Sequence, residues 1–286
     1  MITSIANQRI KRLIQLQEKG RLRNKEGVFV AEGLKMFEEA PIERLKEVYV
    51  QQSLWEQLFT AGTDKNPGRT ESARQKLEQC LQKGIVVEQV ADDIFKKAAD
   101  TQTPQGILFV MDQMSYSLEK LIAGAAVRKE SKGRLPLFLL LEDIQDPGNL
   151  GTMIRTAEGA GVDGVIMSRG TVDIYNPKTI RSTMGSLYRV PFLYTEVLTD
   201  AVKQLQKVGI KVYAAHLAGE KYFDEIAYEG GSGFLIGNEG NGLKKETADS
   251  ADVYLKIPME GKLESLNAGI AAALLMYRAA EYNRKG

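Results

Sequence analysis

Three polar stretches of the sequence combine residue types that can bind a ligand and handle a proton. The first spans residues 146–151 and is followed by Arg155, the second is the glycine-rich stretch 237–243 with Glu239, and the third spans residues 257–267. Amide and carboxylate side chains can orient a hydroxyl group or accept its proton, and an arginine can bind a phosphate through two parallel hydrogen bonds. Glycines let a backbone approach a flat ligand closely. The three stretches therefore predict a ligand site.

The composition excludes several kinds of site. The chain of 286 residues contains one histidine, His216, which excludes a His-based triad and a site with several histidine ligands. Its one cysteine, Cys80, excludes an intrachain disulfide and a cysteine zinc cluster, and we interpret it as inert packing. We expect no metal, so acid–base chemistry has to use other side chains. A formal net charge of +1 gives no global attraction for nucleic acid, so local clusters must supply it.

Membrane proteins and dinucleotide enzymes are disfavoured classes. No run approaches the ~20 apolar residues that cross a bilayer, and a signal-peptide core is absent, so we expect a cytoplasmic protein that does not contact a membrane. The glycine-rich stretch fits neither the G-x-G-x-x-G fingerprint nor the Gly-Lys-Ser/Thr of a phosphate loop. A dinucleotide-dependent oxidoreductase is therefore a weak alternative.

Each polar stretch follows a predicted strand. The strand at residues 137–141 is apolar on both faces, as a buried parallel strand is, and residues 234–236 and 253–257 precede the second and third stretches. Pro258 ends the last strand because it has no N–H to give to a sheet. Strand and helix signals alternate over residues 136–286, which predicts an α/β domain with a largely parallel sheet. Ligands of such sheets bind at the carboxyl ends of the strands.

The helix predicted after the third stretch separates large from small residues. Its large residues recur at helical spacing and are Leu266, Ile270, Leu274 and Tyr277. Its small residues are Ala268, Gly269, Ala271, Ala272 and Ala273. A surface of small residues allows another element to approach closely, so this small-residue face is a candidate contact between subunits.

The first part of the chain predicts a smaller α/β domain. Strands are indicated at residues 28–33, 47–50, 85–90 and 105–110, with a loop at 61–70. We place this domain at residues 1–111, a polar linker at 112–135 whose least structured part is 129–134, and the larger domain at 136–286.

A basic arm begins the smaller domain. Ile10, Leu13 and Ile14 form one apolar face of a predicted helix, so the charges lie on the other face. A solvated surface and a phosphate-binding surface explain these charges equally well. The cations that the second interpretation assigns to nucleic acid are Arg9, Lys11, Arg12, Arg21 and Arg23.

Together the three stretches resemble the motifs of the SpoU (TrmH-like) RNA ribose 2′-O-methyltransferases. The matching residues are Asp146-Pro147-Gly148-Asn149-Leu150-Gly151 with Arg155-Thr156-Ala157, Gly237-Asn238-Glu239-Gly240, and Ile257-Pro258-Met259 with Glu264-Ser265-Leu266-Asn267. Order, spacing and strand–loop–helix context agree over about residues 136–283. Residues 29–33 and 103–107 of the smaller domain resemble that family's appended L30e-like substrate-binding domain.

The resemblance implies a fold, a cofactor and a set of residues. It implies a C-terminal α/β-knot domain with a trefoil knot, S-adenosyl-L-methionine (AdoMet) held by the knotted loops, and a homodimer with its sites at the interface. The implied cofactor-binding residues are Leu217, Gly237, Ile257, Met259 and Leu266. The implied catalytic residues are Asn149, Arg155, Glu239, Ser265 and Asn267.

The implied reaction is methylation of a ribose 2′-hydroxyl in structured RNA. The appended domain favours ribosomal RNA over transfer RNA, and a tRNA 2′-O-methyltransferase or a non-catalytic RNA-binding protein of the same fold are the alternatives. Methyl transfer from a sulfonium needs no metal. The family's proposed base matches Arg155, yet a guanidinium is normally a donor only. Arg155 could instead bind a phosphate while Glu239 or a phosphate oxygen takes the proton.

Several residues have a structural interpretation beside the functional one. Asn149 could cap the helix that follows it, and Arg155 could be solvated or half of a surface ion pair. We favour a hydrogen-bonded strand-end role for His216 over a catalytic one. Tyr175 could stack on an RNA base or contact the core or a second subunit. Surface solvation is the default for a further group of cations, which are Lys178, Arg181 and Arg189. Of these we assign Arg181 to RNA binding.

Overall fold

The computed structural model describes residues 1–60 and 67–285, and of residues 67–69, 283 and 285 it describes the backbone alone. The chain forms two compact units. The N-terminal unit contains Met1–Met114 and Tyr175–Tyr188, and the C-terminal unit contains Ser115–Ile174 and Arg189–Gly286. None of the helices in the described part of the chain is long and apolar enough to cross a membrane.

The N-terminal unit is a mixed sheet covered by helices. Its elements are α1 (Gln8–Glu18), α2 (Gly20–Glu26), β1 (Val28–Glu32), α3 (Leu34–Glu39), β2 (Leu45–Gln51), α4 (Gln52–Phe59), α5 (Pro67–Gln82), β3 (Val86–Val90), α6 (Asp92–Ala98) and β4 (Ile107–Asp112). The sheet order is β1-β4-β2-β3, with β4 antiparallel to both neighbours and β2 parallel to β3.

Apolar residues at helical spacing fix α1 on this sheet. Ile10, Leu13 and Leu16 are buried against β1 and β4 side chains, while Ile14 is partly buried. Cys80 is buried in the same unit, and burial raises the pKa of its thiol to about 11, as suits a packing role. Of the predicted loop 61–70, residues 61–66 lie outside the described residues. The remainder of that prediction is wrong, because Pro67 begins α5, and a proline is tolerated in a first helical turn.

The C-terminal unit is built on a parallel sheet. The elements that follow β4 along the chain are α7 (Leu118–Lys132), β5 (Leu137–Leu141), α8 (Pro147–Ala160), β6 (Gly164–Ser168), α9 (Pro177–Thr183), β7 (Phe192–Thr195), α10 (Leu198–Lys207), β8 (Lys211–Ala215), β9 (Lys221–Tyr222), β10 (Ser232–Ile236), α11 (Lys245–Asp249), β11 (Val253–Lys256) and α12 (Ala268–Lys285). Of these, α9 belongs to the N-terminal unit. The sheet order is β7-β6-β5-β10-β8-β11-β9, and its described pairings are parallel, which confirms the predicted sheet type.

A helix occupies most of the predicted linker 112–135. Ser117 accepts a hydrogen bond from the N–H of Lys120 at the start of α7, and Gly133 ends the helix with φ of 65°. Leu118, Leu121 and Ala125 are buried on one face. The prediction that residues 129–134 are the least structured part is therefore wrong for 129–132, which lie in α7, because three buried positions and two caps suffice for a helix whose exposed face is polar.

The last helix exposes a stripe of large residues, although Leu275 and Met276 are buried. α12 packs against α8, β5 and β10, with Ala272 and Ala279 buried. The exposed fractions of Ile270, Leu274 and Tyr277 are 51%, 38% and 44%. Ala268, Gly269 and Ala272 are thus buried within the C-terminal unit, so the predicted subunit contact is wrong for these three residues, while Ala271 and Ala273 are half-buried. The exposed stripe of α12 consists of Ile270, Leu274 and Tyr277.

Candidate active site

The three predicted stretches lie at one edge of the parallel sheet. They follow β5, β10 and β11, and His216 follows β8. These strands are neighbours in the order β5-β10-β8-β11 and run parallel, so their carboxyl ends lie side by side. Segments far apart in the sequence therefore meet where ligands of α/β sheets bind.

A pocket of about 340 Å³ opens at this edge. Small-molecule sites span roughly 300–1,000 Å³. The predicted cofactor-binding residues all line it, namely Leu217, Gly237, Ile257, Met259 and Leu266. Glu239 and Ser265, two of the predicted catalytic residues, line it as well. The lining combines apolar side chains with glycine-rich backbone, which suits a ligand that has both a flat ring and polar groups.

The glycine-rich loop after β10 closes on itself. The N–H of Asn238 donates to the carbonyl of Gly242 at 3.1 Å, and the N–H of Gly242 donates back to Asn238 at 2.9 Å. A Cβ at position 237 would lie 2.1 Å from the Gly242 carbonyl carbon, and Gly242 itself has φ of 67°. The interpretation that glycines of this loop let a ligand approach therefore needs correction at Gly237, since its own loop takes that space.

Asn149 joins two of the predicted catalytic residues in a hydrogen-bond network. Its Nδ2 donates to Glu239 Oε1 at 3.0 Å, and its Oδ1 accepts from Asn267 Nδ2 at 2.9 Å. Asn267 Oδ1 in turn accepts the N–H groups of Gly269 and Ile270 at 2.9 and 3.3 Å, so Asn267 caps α12. The network thus links the loops after β5, β10 and β11 through three side chains.

Asp146, not Asn149, caps α8. The Asp146 side chain accepts the N–H of Asn149 at 2.8 Å, and Pro147 occupies the first helical position. The interpretation of Asn149 as a helix cap is therefore wrong. The helix begins at Pro147, which leaves the Asn149 side chain free to contact Glu239 and Asn267.

Glu239 is an acceptor for three N–H groups. Its carboxylate binds the backbone N–H groups of Gln145 and Asp146 at 3.0 and 3.1 Å, besides Asn149. Burial acts to raise the pKa of Glu239, but the hydrogen bonds from Asn149 and from these backbone groups outweigh it, so the pKa lies below its ordinary value. An ionised carboxylate that is already satisfied by three donors is a weak proton acceptor.

Comparison with known proteins places the chain in a family. Residues 136–277 match the model of the SpoU rRNA Methylase family, and residues 7–108 match that of the MRM3-like substrate binding domain. The chain is 34% identical over 276 residues to the 23S rRNA (guanosine(2553)-2′-O)-methyltransferase RlmP of Bacillus subtilis (strain 168), which covers 96% of this chain and 97% of that protein. The chain belongs to the SpoU rRNA methylase family.

Two further relatives agree with this assignment to the SpoU family. The 23S rRNA (guanosine-2′-O-)-methyltransferase RlmB of Xanthomonas campestris is 30% identical over 224 residues, covering 78% of this chain and 87% of that protein. The crystal structure of an AdoMet-bound rRNA methyltransferase from Sinorhizobium meliloti superposes with a TM-score of 0.80 at 27% identity, over 98% of this chain and 97% of that one. The two-part organisation is thus shared along the whole chain.

Arg155 stands apart from the network around Asn149. It lies on α8 and is exposed, and it makes no hydrogen bond or ion pair with any residue that the structure describes. The alternative of half a surface ion pair is therefore wrong for the described residues. An exposed, unpaired guanidinium at this family motif position is free to bind an external anion such as an RNA phosphate.

Two residues with open interpretations have structural contacts. His216 Nδ1 accepts the N–H of Ala218 at 3.1 Å, and its ring lies 5.0 Å from that of Tyr254, which confirms a hydrogen-bonded strand-end role, although His216 also lines the pocket. Tyr175 is 6% exposed, stacks on Phe29 at 4.7 Å and bonds through its hydroxyl to the backbone of Met114. Its core interpretation is confirmed, and base stacking is excluded by burial.

Arg23 is wrongly assigned to RNA contact. Its side chain is buried, with 3% of the residue exposed, and its guanidinium donates to the carbonyls of Leu16 and Gln17 at 2.8 and 2.9 Å. A buried guanidinium has to satisfy its donors internally. It therefore joins α1 to α2 and is not available to a ligand.

The other cations assigned to RNA divide into paired and unpaired ones. The paired ones are Arg9 with Glu88, Arg12 with Glu26 and Glu47, and Arg181 with Asp100. Lys11 and Arg21 are exposed and have no such partner among residues 1–60 and 67–285. An ion-paired cation adds less attraction for a phosphate, so Lys11 and Arg21 are the better candidates.

The sequence analysis missed the role of Asn238. Its Oδ1 accepts the N–H groups of Gly240 and Asn241 at 2.9 and 3.1 Å, so its side chain shapes the glycine-rich loop from within. The sequence signal for this role was the glycine two residues after Asn238, since that spacing is typical of a turn that the asparagine side chain stabilises.

Proposed function

We propose that the protein transfers the methyl group of AdoMet to a ribose 2′-hydroxyl of 23S rRNA. Membership of the SpoU rRNA methylase family, and similarity along nearly the whole chain to a 23S rRNA 2′-O-methyltransferase, support this activity. The observation that carries the proposal is the pocket whose lining includes every residue matched to the family's cofactor positions. The guanosine equivalent to position 2553 is the first nucleotide to test, because the relative matched along the whole chain modifies it.

The pocket has the chemical character that AdoMet requires. Ile257, Met259 and Leu266 offer apolar surface for a ring, while Ser265 and the ionised Glu239 offer polar groups to a cationic ligand. When bound, AdoMet supplies an electrophilic methyl group on a sulfonium that is also the leaving group. The protein therefore has to provide position and a path for one proton.

Asn149 is the residue that we assign to orienting the ribose hydroxyl. Its amide is fixed from two sides, because Glu239 accepts from its Nδ2 and Asn267 donates to its Oδ1. A reacting hydroxyl held in line with a methyl group gains rate from orientation alone. In this proposal Glu239 fixes Asn149 and does not take the proton, since three donors already stabilise its charged form.

Arg155 is assigned to binding an RNA phosphate, whose oxygen accepts the hydroxyl proton. Its exposure and its lack of a partner in the described chain support phosphate binding. A guanidinium stays protonated at any physiological pH, so it cannot serve as an ordinary base. Ser265, which lines the pocket, completes the polar set that we assign to catalysis.

The assembly we propose is a homodimer with a trefoil-knotted C-terminal unit. Family membership supports both, and the exposed stripe Ile270, Leu274 and Tyr277 on α12 supports the dimer. Large apolar residues exposed together at helical spacing mark a protein contact. A second copy is the natural occupant, since α12 directly follows Asn267 of the active site.

RNA contacts through the N-terminal unit complete the proposal. The match to the MRM3-like substrate binding domain and the unpaired cations Lys11 and Arg21 support binding of substrate RNA there. The working compartment is then the cytoplasm, where bacterial ribosomal RNA is assembled.

The deciding experiment is transfer of radiolabelled methyl from AdoMet to 23S rRNA from a strain that lacks this gene. We expect label in 23S rRNA and a reverse-transcription stop at one ribose, with none in transfer RNA and none with an Asn149→Ala variant. Label in transfer RNA alone would show that the substrate is transfer RNA and not ribosomal RNA. RNA binding without any label would instead establish a non-catalytic RNA-binding protein.

A further inference from the structure

Asp143, directly after β5, has an unusual backbone conformation. Its φ is 51°, in the left-handed region that residues with a side chain rarely adopt, although aspartate tolerates it better than most. Such a residue is held by its surroundings and commonly lies beside a functional site. Asp143 does not itself line the pocket in the described part of the chain, so the conformation has no direct explanation in ligand contact.

The carboxylate of Asp143 is fixed by two side chains. Its Oδ2 accepts from Lys244 Nζ at 2.6 Å, and its Oδ1 accepts from Ser168 Oγ at 2.7 Å. The Asp143 N–H donates to the same Ser168 oxygen at 2.8 Å. A Cβ at position 170 would lie 2.1 Å from Oδ1, so Gly170 leaves the space that the carboxylate occupies.

The carbonyl of Asp143 reaches the glycine-rich loop. It accepts from Asn238 Nδ2 at 2.8 Å and from Gln145 Nε2 at 2.9 Å. The same Asn238 side chain holds the N–H groups of Gly240 and Asn241, and these three residues line the pocket. The start of the loop is therefore attached to Asp143 through one side chain.

The end of the glycine-rich loop is attached to the same residues after β5. Lys244, the residue after the loop, donates its N–H to Glu142 Oε2 at 2.7 Å and its ammonium to Asp143. Glu142 is 4% exposed and also accepts from Thr247 Oγ1 at 2.5 Å. Two consecutive residues after β5 thus hold both ends of the loop that forms the pocket wall.

We propose that Asp143 and Lys244 are positioning residues for AdoMet binding. They act through the glycine-rich loop 237–243 and not by touching the ligand. The left-handed conformation at Asp143 lets one residue use its carboxylate toward Lys244 and its carbonyl toward Asn238. This inference rests on the proposed function, because it assigns the pocket to AdoMet.

Calorimetric titration of AdoMet into the full-length protein tests the proposal. Asp143→Asn tolerates the same φ but loses the charge, and Lys244→Met keeps the aliphatic stem but loses the ammonium. We expect each to raise the Kd for AdoMet by about fivefold, as loss of a partly exposed ion pair allows. The double variant is expected to match the weaker single variant, because both changes break one interaction.

Lys245→Met is the matched control. Lys245 is the next residue and forms an ion pair of the same kind with Asp249 at 2.5 Å, but among the described residues its side chain does not bond to Glu142 or Asp143, the residues that hold the loop. We expect its Kd for AdoMet to equal that of the wild type. Saturating AdoMet is expected to restore kcat of Asp143→Asn and Lys244→Met to within about twofold.

The outcomes separate a positioning role from a structural one. An unchanged Kd for AdoMet in both variants, whatever their melting temperatures, would overturn the proposal, and so would additive effects in the double variant. Lys244 is an exposed side chain, 67% accessible, so Lys244→Met carries the test if Asp143→Asn does not fold. A wild-type protein that does not bind AdoMet would contradict the proposed function instead.

Discussion

Glu239 shows how one carboxylate can organise several loops of an active site. It accepts from Gln145, Asp146 and Asn149 and thereby holds the loop after β5 against the loop after β10. The hydrogen bonds that lower its pKa also make it a poor base. The residue identified from the sequence as a possible proton acceptor is therefore better explained as the group that orients Asn149.

Glu239→Gln is predicted to lower activity without altering its pH dependence near neutrality. Burial acts to raise the pKa of Glu239, but hydrogen bonds from Asn149 and backbone N–H groups outweigh it and lower this pKa, so the charge-dependent bonds of Glu239 are fully present above the ordinary glutamate pKa and are lost only as pH falls through the lowered folded pKa. We expect kcat/KM to fall by about tenfold or more, since an amide cannot accept three charge-assisted bonds. Rate profiles from pH 6 to 9 should keep their shape. Disappearance of an acidic limb in the variant would identify Glu239 as the base.

Arg155→Lys is predicted to keep part of the activity. A lysine can still bind a phosphate, but only as a point charge without bidentate geometry, so the KM for RNA should rise by about tenfold. Arg155→Met, which removes the charge at similar length, should raise it further. The measurement is steady-state kinetics at varied RNA and saturating AdoMet. Loss of kcat in Arg155→Lys with unchanged RNA affinity would instead favour direct catalysis by the guanidinium.

At the scale of secondary structure, the sequence predicted the position of the pocket better than it predicted which side chains are free to contact a ligand. The three loops could be placed together because strand-ending signals such as Pro258 locate the carboxyl edge of the sheet. The sequence could not show whether Asp146 or Asn149 caps α8, because the predicted start of a helix is uncertain by about one turn. The assignment of Arg23 to RNA contact was wrong for another reason. Charge alone does not reveal that two carbonyls at the end of α1 accept its donors.

The start of α12 offers a way to separate stability from catalysis. Asn267 uses Oδ1 to cap the helix and Nδ2 to fix Asn149. Asn267→Asp keeps the capping oxygen and loses the donor, so we expect near wild-type thermal stability with activity reduced by about tenfold. Asn267→Ala loses both and should also unfold more easily, by about 1 kcal/mol. Thermal denaturation and methyl transfer measure the two effects, and equal activity of wild type and Asn267→Asp would remove Asn267 from the catalytic set.

For the whole molecule, the exposed stripe of α12 decides whether one chain is sufficient to form a functional active site. A sequence pattern could show that large and small residues occupy separate faces of this helix, but not which face the C-terminal unit covers. That depends on α8, β5 and β10, against which α12 packs with Gly269 and Ala272 buried. With those small residues buried, Ile270, Leu274 and Tyr277 remain exposed on α12, and a monomer leaves this apolar surface in water.

Leu274→Arg is therefore predicted to give a folded monomer with little activity. A charge in the centre of an apolar interface is left without a partner, so association should weaken by several orders of magnitude, while the monomer core is untouched because Leu274 is 38% exposed. Light scattering after size exclusion measures the mass. Val127→Arg is the control, because Val127 is 62% exposed on α7 and lies outside the stripe. If Leu274→Arg remains dimeric, or is monomeric and fully active, then the α12 stripe does not join two subunits into a functional site, and each chain carries a complete one.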